Sequence, residues 1–208
     1  MSAAQVRLGG VWVDSIMVGS VRIGGSWVPF GPPAGASPKS LFTTEVPASL
    51  DSADSPDNYT LGTYMFSSVP GTITHVRWPF PVTAQPGDVA PKANVFRTAD
   101  SSKAGGADVL FPLPGTLSTL SPPTPAWNQV ALSVPVHVDT NEVFCPAVWT
   151  PLRYVATSAF FTSNYTNAPL TALSAGGRFV SGASGNVDFP LSGFNNGCYF
   201  VDVVFIPD

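Results

Sequence analysis

Few residues in this 208-residue chain carry the usual chemistry of an active site: two histidines, His75 and His137, and two cysteines, Cys145 and Cys198. His137-Val-Asp139 sets an imidazole and a carboxylate two residues apart, a spacing that places both on one face of a strand. That is two-thirds of a hydrolytic triad, but no activated-serine motif accompanies it and no paired carboxylates replace it. The expected catalytic set is therefore none, and the chain reads as non-enzymatic. A zinc site needs clustered Cys and His, and neither cysteine has a histidine close by in sequence, so no cofactor is expected. Each cysteine sits in a strand-like run. The pair reads either as two small buried hydrophobes or as a disulfide between neighbouring strands, and spacing leaves both open. The acidic run Asp51-Ser-Ala-Asp54-Ser-Pro-Asp57 offers oxygen ligands on one loop, which suits Ca²⁺. Its spacing matches no calcium loop, and such runs are also ordinary solvated turns. The expectation is no metal, with Asp51, Asp54 and Asp57 as the residues a Ca²⁺ would use.

Aromatic rings supply the remaining binding chemistry. A sugar stacks its C–H face on the negative face of an exposed ring. Trp78, Phe80, Tyr154, Phe161 and Tyr165 fall near strand ends and loops and are the candidates for a glycan. A domain of this size also needs several rings in its core, so most of its aromatics are expected to be buried. Tyr165, in the polar stretch Thr162-Ser-Asn-Tyr-Thr-Asn167, is the best placed to meet a ligand.

The elements that must hold these residues are strands. With 22 prolines and 19 glycines the chain cannot sustain long helices, and this punctuation suits many short strands. Only 11% of residues are charged, against about 25% in a typical soluble domain. The net charge is −4 and no basic run exists, which argues against nucleic acid as a partner. No apolar stretch reaches the roughly 18–20 residues of a membrane helix, so no membrane partner is expected. The opening Met1-Ser-Ala-Ala-Gln-Val-Arg7 lacks the layout of a secretory signal, and synthesis in a cytoplasm is the expectation.

Val6-Arg-Leu-Gly-Gly-Val-Trp-Val13 returns as Val21-Arg-Ile-Gly-Gly-Ser-Trp-Val28. Each copy reads strand, Gly-Gly turn, strand, because glycine reaches positive φ without steric penalty. Two such hairpins cannot cover their own apolar residues. Residues 1–28 therefore read as an assembly arm that presents Val11, Trp12, Val13, Ile23, Trp27 and Val28 to a partner surface, the alternative being that the arm folds back on its own β-domain. Residues 29–39, with four prolines and two glycines between Pro29 and Pro38, read as a semi-rigid linker. Residues 40–208 read as one β-domain, with strands expected at Thr60–Phe66, Thr72–Trp78, Ala93–Thr98, Trp127–Val134, Glu142–Trp149 and Tyr199–Ile206. In the second of these, Ile73, His75 and Arg77 should share one face and Thr74, Val76 and Trp78 the other. The last, apolar at nearly every position, reads as a central strand buried on both faces, with Asp202 in need of a partner. The fold class is all-β: a two-sheet, jelly-roll-like sandwich preceded by a small β-hairpin arm.

The order of several stretches resembles an uncharacterised bacterial and phage β-sandwich family found in multidomain surface proteins. They are Ser40-Leu-Phe42, Leu61-Gly62 with Phe66, Gly71-Thr-Ile-Thr-His-Val-Arg77, Trp127-Asn-Gln-Val130 with Pro135-Val136, Tyr154-Val-Ala-Thr-Ser158, Pro169-Leu-Thr-Ala-Leu173 and Tyr199-Phe-Val-Asp-Val-Val-Phe205. The resemblance spans residues 40–206 and implies a jelly roll of the carbohydrate-binding type without catalytic residues. Cys145-Pro146 stands where a tyrosine-rich strand is common in that family, so no ligand contact is carried over there. The Gly-Gly-x-Trp-Val repeat is similar to the opening of minor tail and other virion proteins of actinobacterial phages. Together they imply a virion structural protein made in the host cytoplasm, most simply a minor tail protein. Its partners would be other virion proteins, further copies of itself (a trimer first, by analogy with tail fibres) and a cell-surface glycan. The alternatives are a capsid decoration protein and a glycan-binding module of a bacterial surface protein.

The arm reading has a direct test. Each large apolar side chain left in water forgoes about 1.5–3 kcal/mol of burial free energy, so several together outweigh the cost of association. Trp12→Ala combined with Trp27→Ala is expected to abolish assembly, read by sedimentation, while the melt of the β-domain stays unchanged. Normal assembly of the double variant would refute the arm's role.

Overall fold

A computed structural model describes residues 37–52, 58–81, 88–112, 127–151, 153–182 and 185–208, and within the first 36 residues the backbone of five short strands. Among the described residues every regular element is a strand. The chain is an all-β fold of several antiparallel sheets.

In the N-terminal segment, β1 (Val6–Leu8) pairs with β2 (Val11–Val13), Leu8 opposite Val11. β4 (Ser20–Ile23) pairs with β5 (Ser26–Pro29), Ile23 opposite Ser26. The strands flanking each Gly-Gly pair are thus paired antiparallel as the repeat suggests, and the glycines themselves lie outside the described residues. β3 (Ile16–Met17) pairs with β4 and makes the second hairpin three-stranded, a pairing the repeat alone does not announce. Val11, Trp12, Val13, Ile23, Trp27 and Val28 lie in β2, β4 and β5, and their side chains fall outside the described structure.

The remaining strands are β6 (Ser49–Ser52), β7 (Tyr59–Ser67), β8 (Gly71–Pro79), β9 (Lys92–Arg97), β10 (Val109–Leu110), β11 (Trp127–Val138), β12 (Phe144–Thr150), β13 (Tyr154–Ala156), β14 (Tyr165–Asn167), β15 (Leu170–Ser181) and β16 (Asp202–Pro207). They form a six-stranded sheet ordered β10-β9-β12-β7-β15-β14, a three-stranded sheet ordered β11-β8-β16 and a two-stranded pair β13-β6. Leu61, Met65 and Val148 of the first sheet join Val76, Trp78 and Val203 of the second in a single buried cluster. That sharing of one core is a sandwich-like arrangement.

Three departures from the sequence expectation have physical causes. The strand buried on both faces is β12, every residue of which is buried. Its far face packs Cys145, Ala147 and Trp149 against Val187 and Phe189, which come from a strap of irregular chain laid over the sheet. β16, expected to be central, is instead the edge of the three-stranded sheet. Its apolar residues are covered by the incoming chain: Lys39 N–H donates to Phe205 O at 2.7 Å and Phe205 N–H donates to Lys39 O at 2.9 Å. Lys39, read from composition as the last residue of the linker, is thus bridged to the last strand. Finally, the alternation in β8 breaks. His75 pairs with Val204 and Ala131, but Ile73 pairs with Phe205 and Val136, so Thr74 is skipped in both registers. This bulge turns Ile73 into the core with Val76 and Trp78.

Asp202 does find partners. Its carboxylate is wholly buried and accepts the N–H groups of Leu41 at 2.9 Å, Phe42 at 3.2 Å and Val203 at 2.7 Å. Arg77 Nη1 lies 3.3 Å from it, its guanidinium 4.6 Å above the Trp127 ring. Leu41 and Phe42 are thereby fixed, and the Phe42 ring enters an aromatic cluster with Trp127, Phe160, Phe161, Tyr165 and Phe200.

Burial raises the Asp202 carboxyl from 3.8 to about 6, against the opposing pull of these N–H donors and Arg77. The folded chain thus holds this proton more tightly than the unfolded chain. The resulting stability is fully present below 3.8 and is lost as the pH rises through about 6, on the order of 3 kcal/mol. Lowering the pH from about 7.5 to about 5 is expected to raise the melting temperature, and Asp202→Asn, which cannot titrate, to remove that rise. A wild-type melting temperature that is flat or falling over this interval would contradict the assignment.

Candidate functional site

A cleft of about 610 Å³ lies where the six-stranded sheet meets the β13-β6 pair. It falls within the ~300–1,000 Å³ range of small-molecule sites. Strand register assembles its walls. Ser181 sits opposite Tyr59, and Phe179 opposite Leu61, on β15 and β7. Tyr154 sits opposite Ser52 on β13 and β6. The bridge between Thr157 and Cys198, with mutual N–H to O bonds of 3.0 and 2.9 Å, brings Tyr199 to the same place.

Four rings form the wall. Tyr154 packs edge-on against Tyr59 at 5.7 Å and against Tyr199 at 5.7 Å. Phe179 closes the quartet against Tyr59 at 6.3 Å and Tyr199 at 6.4 Å. Edge-to-face contacts of this kind are favourable beyond simple burial, and they fix the rings in place. Tyr154 and Tyr199 are only 9% and 8% exposed, so little of either ring is open to the cleft. The hydroxyls of Ser52, Thr157, Ser158 and Ser181 complete the lining. Ser52 Oγ donates to Ser49 Oγ at 2.7 Å, and Thr157 Oγ1 accepts the Ala48 N–H at 2.8 Å. Phe194, from the loop before β16, lies at the mouth.

The glycan candidates separate on this geometry. Tyr154 is in the cleft wall. Trp78, Phe80 and Phe161 are core: Trp78 and Phe161 are completely buried, and Phe80 packs edge-on against Trp78 at 5.6 Å. A ring with no open face cannot stack on a sugar. Tyr165 is half-buried, stacked on Phe42 at 5.8 Å, and its hydroxyl donates to Glu45. Burial pushes the Glu45 carboxyl up, but bonds from Tyr165 and from the N–H groups of Thr43 and Thr44 outweigh it and hold the group low. Tyr165 is a fastener of the entering chain. Tyr59, Phe179, Phe194 and Tyr199 were missed as site residues. Tyr199 opens an expected strand and Tyr59 immediately precedes one, and only cross-strand register could have gathered them.

The other candidates resolve in the same way. Cys145 and Cys198 are free and buried, in different clusters, so the reading as small hydrophobes holds and the disulfide does not form. His137 Nε2 lies 3.1 Å from Asp208 at the surface, while Asp139 takes part through its N–H, which donates to Glu142. His75 Nδ1 lies 2.9 Å from Thr74 Oγ1. Among the described residues no group of three or more His, Cys, Asp or Glu could hold a metal ion. Asp51 lies in β6 with its side chain outside the described structure, and Asp54 and Asp57 lie outside it altogether. No family model matches the chain, and no curated protein matches it.

The cleft depends on one close backbone approach. A Cβ on Gly177 of β15 would sit 1.8 Å from the carbonyl oxygen of Gly197, which holds the Phe194 loop against the sheet. Gly182, at φ +74°, has nothing within 4 Å of its Cβ position. Gly177→Ala is therefore expected to cost about 3 kcal/mol or more, and Gly182→Ala only about 1 kcal/mol of backbone strain. Denaturant melts decide it: equal losses would mean that the approach of Gly197 to β15 does not constrain the fold.

Proposed function

We propose that this chain is a virion protein of a phage, a minor tail protein whose N-terminal arm fastens it to the particle and whose β-domain is held outward to bind a glycan of the host envelope. The observation that carries the reading is the cleft of about 610 Å³ with its aromatic wall and hydroxyl lining, the pairing of surfaces that sugar rings and their hydroxyls require. The paired, apolar strands of the repeat support the arm, and the run of prolines from Pro29 to Pro38 supports a spacer between the two parts. For the domain itself we propose jelly-roll closure. The chain passes from β7 in the larger sheet to β8 in the smaller, back to β9 and β10, out to β11 and back again to β12, the exchange between sheets that such folds are built on.

Two measurements test the proposal. Purified full-length protein is expected to bind isolated host envelope polysaccharide. Ser181→Trp, which fills the cleft from the residue opposite Tyr59, is expected to abolish that binding while the protein still melts cooperatively. Antibody against the chain is expected to label particles at the tail. Label on the head would turn the reading to capsid decoration, and absence of label from particles would overturn the virion assignment.

A further inference from the structure

Phe194 is 62% exposed at the mouth of the cleft. Its exposure does not come from a loose loop. Gly197 N–H donates to Phe194 O at 2.8 Å, and Asn195 and Asn196 both have φ of 47°. Two consecutive left-handed residues inside such a bond make a type I′ turn, and asparagine is among the side chains that tolerate that region best. The turn is clamped from the other side as well: Ala159 N–H donates to Asn195 O and Phe161 N–H to Asn196 O, each at 2.8 Å. Gly197 in turn abuts Gly177 of β15. A large apolar ring is thus carried into solvent by a backbone fixed on three sides.

We propose that Phe194 is the stacking platform of the cleft and that the cleft takes an uncharged saccharide, an inference that rests on the glycan-binding reading above. The other rings of the wall are committed to one another, each of the four in edge contact with two neighbours. Among the described lining residues Phe194 is the ring most open to solvent, the quartet being buried or half-buried, and a sugar's C–H face matches an exposed ring face. The lining hydroxyls supply donors and acceptors for neutral sugar hydroxyls. No described lining residue is charged. Arg153, which precedes Tyr154, does not line the cleft and is engaged in an interaction of its own. A carboxylated sugar brought here would leave water and find no cation among the described lining residues, in a chain whose net charge is already −4.

The test uses the full-length protein and a panel of neutral trisaccharides of glucose, galactose and mannose beside their uronic-acid counterparts, with binding read by ligand-observed NMR. At least one neutral probe is expected to bind and its acidic counterpart to bind at least about tenfold more weakly. Phe194→Ala is expected to weaken the neutral probe about tenfold at unchanged melting temperature, the order of one lost ring-face contact, and Phe194→Trp to restore it. If Ser181→Trp abolishes binding but Phe194→Ala leaves it intact, the platform is refuted and the cleft reading stands. Equal or tighter binding of the uronic acids refutes the uncharged ligand. If no saccharide of either kind binds, the glycan reading falls and this inference with it. Self-association of the wild type that Phe194→Ala removes, with no saccharide bound, would make the exposed ring a protein contact instead.

Discussion

The β-domain is closed by one carboxylate. Asp202 stands at the start of the last strand, inside the core, and gathers backbone N–H groups of Leu41 and Phe42 together with the guanidinium of Arg77. A buried carboxylate is tolerable only when its lone pairs are satisfied, and here the groups that satisfy it are the first residues of the domain and the central strand of the smaller sheet. First, middle and last segments therefore meet at a single side chain. The ring of Phe42, carried in by that contact, becomes the hub around which Trp127, Phe160, Phe161, Tyr165 and Phe200 pack. Trp127 reaches the same point from the other direction, beneath Arg77.

The cleft follows from a second constraint, the tight packing of β15 against irregular chain. β15 is bulged between Ala172 and Gly177, and the bulge ends at the residue whose missing side chain admits Gly197. Beyond it the strand resumes its register with β7 and delivers Phe179 and Ser181 to the cleft. The same sheet is sealed on its outer face by the strap, where Tyr64 Oη donates to Pro190 O at 3.1 Å and Asp188 N–H donates to Thr60 Oγ1 at 3.1 Å. A concave site requires walls that do not collapse into it, and both faces of these strands are held by contacts elsewhere.

Much of the fold was legible because period-two alternation and turn residues are local. The six strands expected from the sequence are present in the structure, with ends shifted by a few residues. What was hidden is what depends on pairing. The bulge at Thr74 reverses which residues of β8 face inward, and nothing in Thr72–Trp78 announces it, since both faces carry apolar side chains. β15 escaped notice because its Ser174-Ala-Gly-Gly177 centre reads as a loop. The position of β16 at an edge was concealed by its composition: an edge covered by another segment looks as apolar as a central strand. Of the glycan candidates Tyr154 alone reached the cleft. Aromatic residues near strand ends are common to cores and to sites, and only the burial of Trp78, Phe80 and Phe161 tells them apart.

The first residues of the domain are also its mooring. Within four positions the entering chain is tied by the Lys39 rung to Phe205, by Asn167 Nδ2 donating to Ser40 O at 2.9 Å, and by the two N–H groups held by Asp202. Behind these ties stands a ring sunk in the core. A pull arriving at Lys39 would be spread at once over the last strand, the β14 hairpin and the smaller sheet. In mechanical terms this entry is a multi-point splice instead of a single hook, so tension arriving at Lys39 loads the body of the domain.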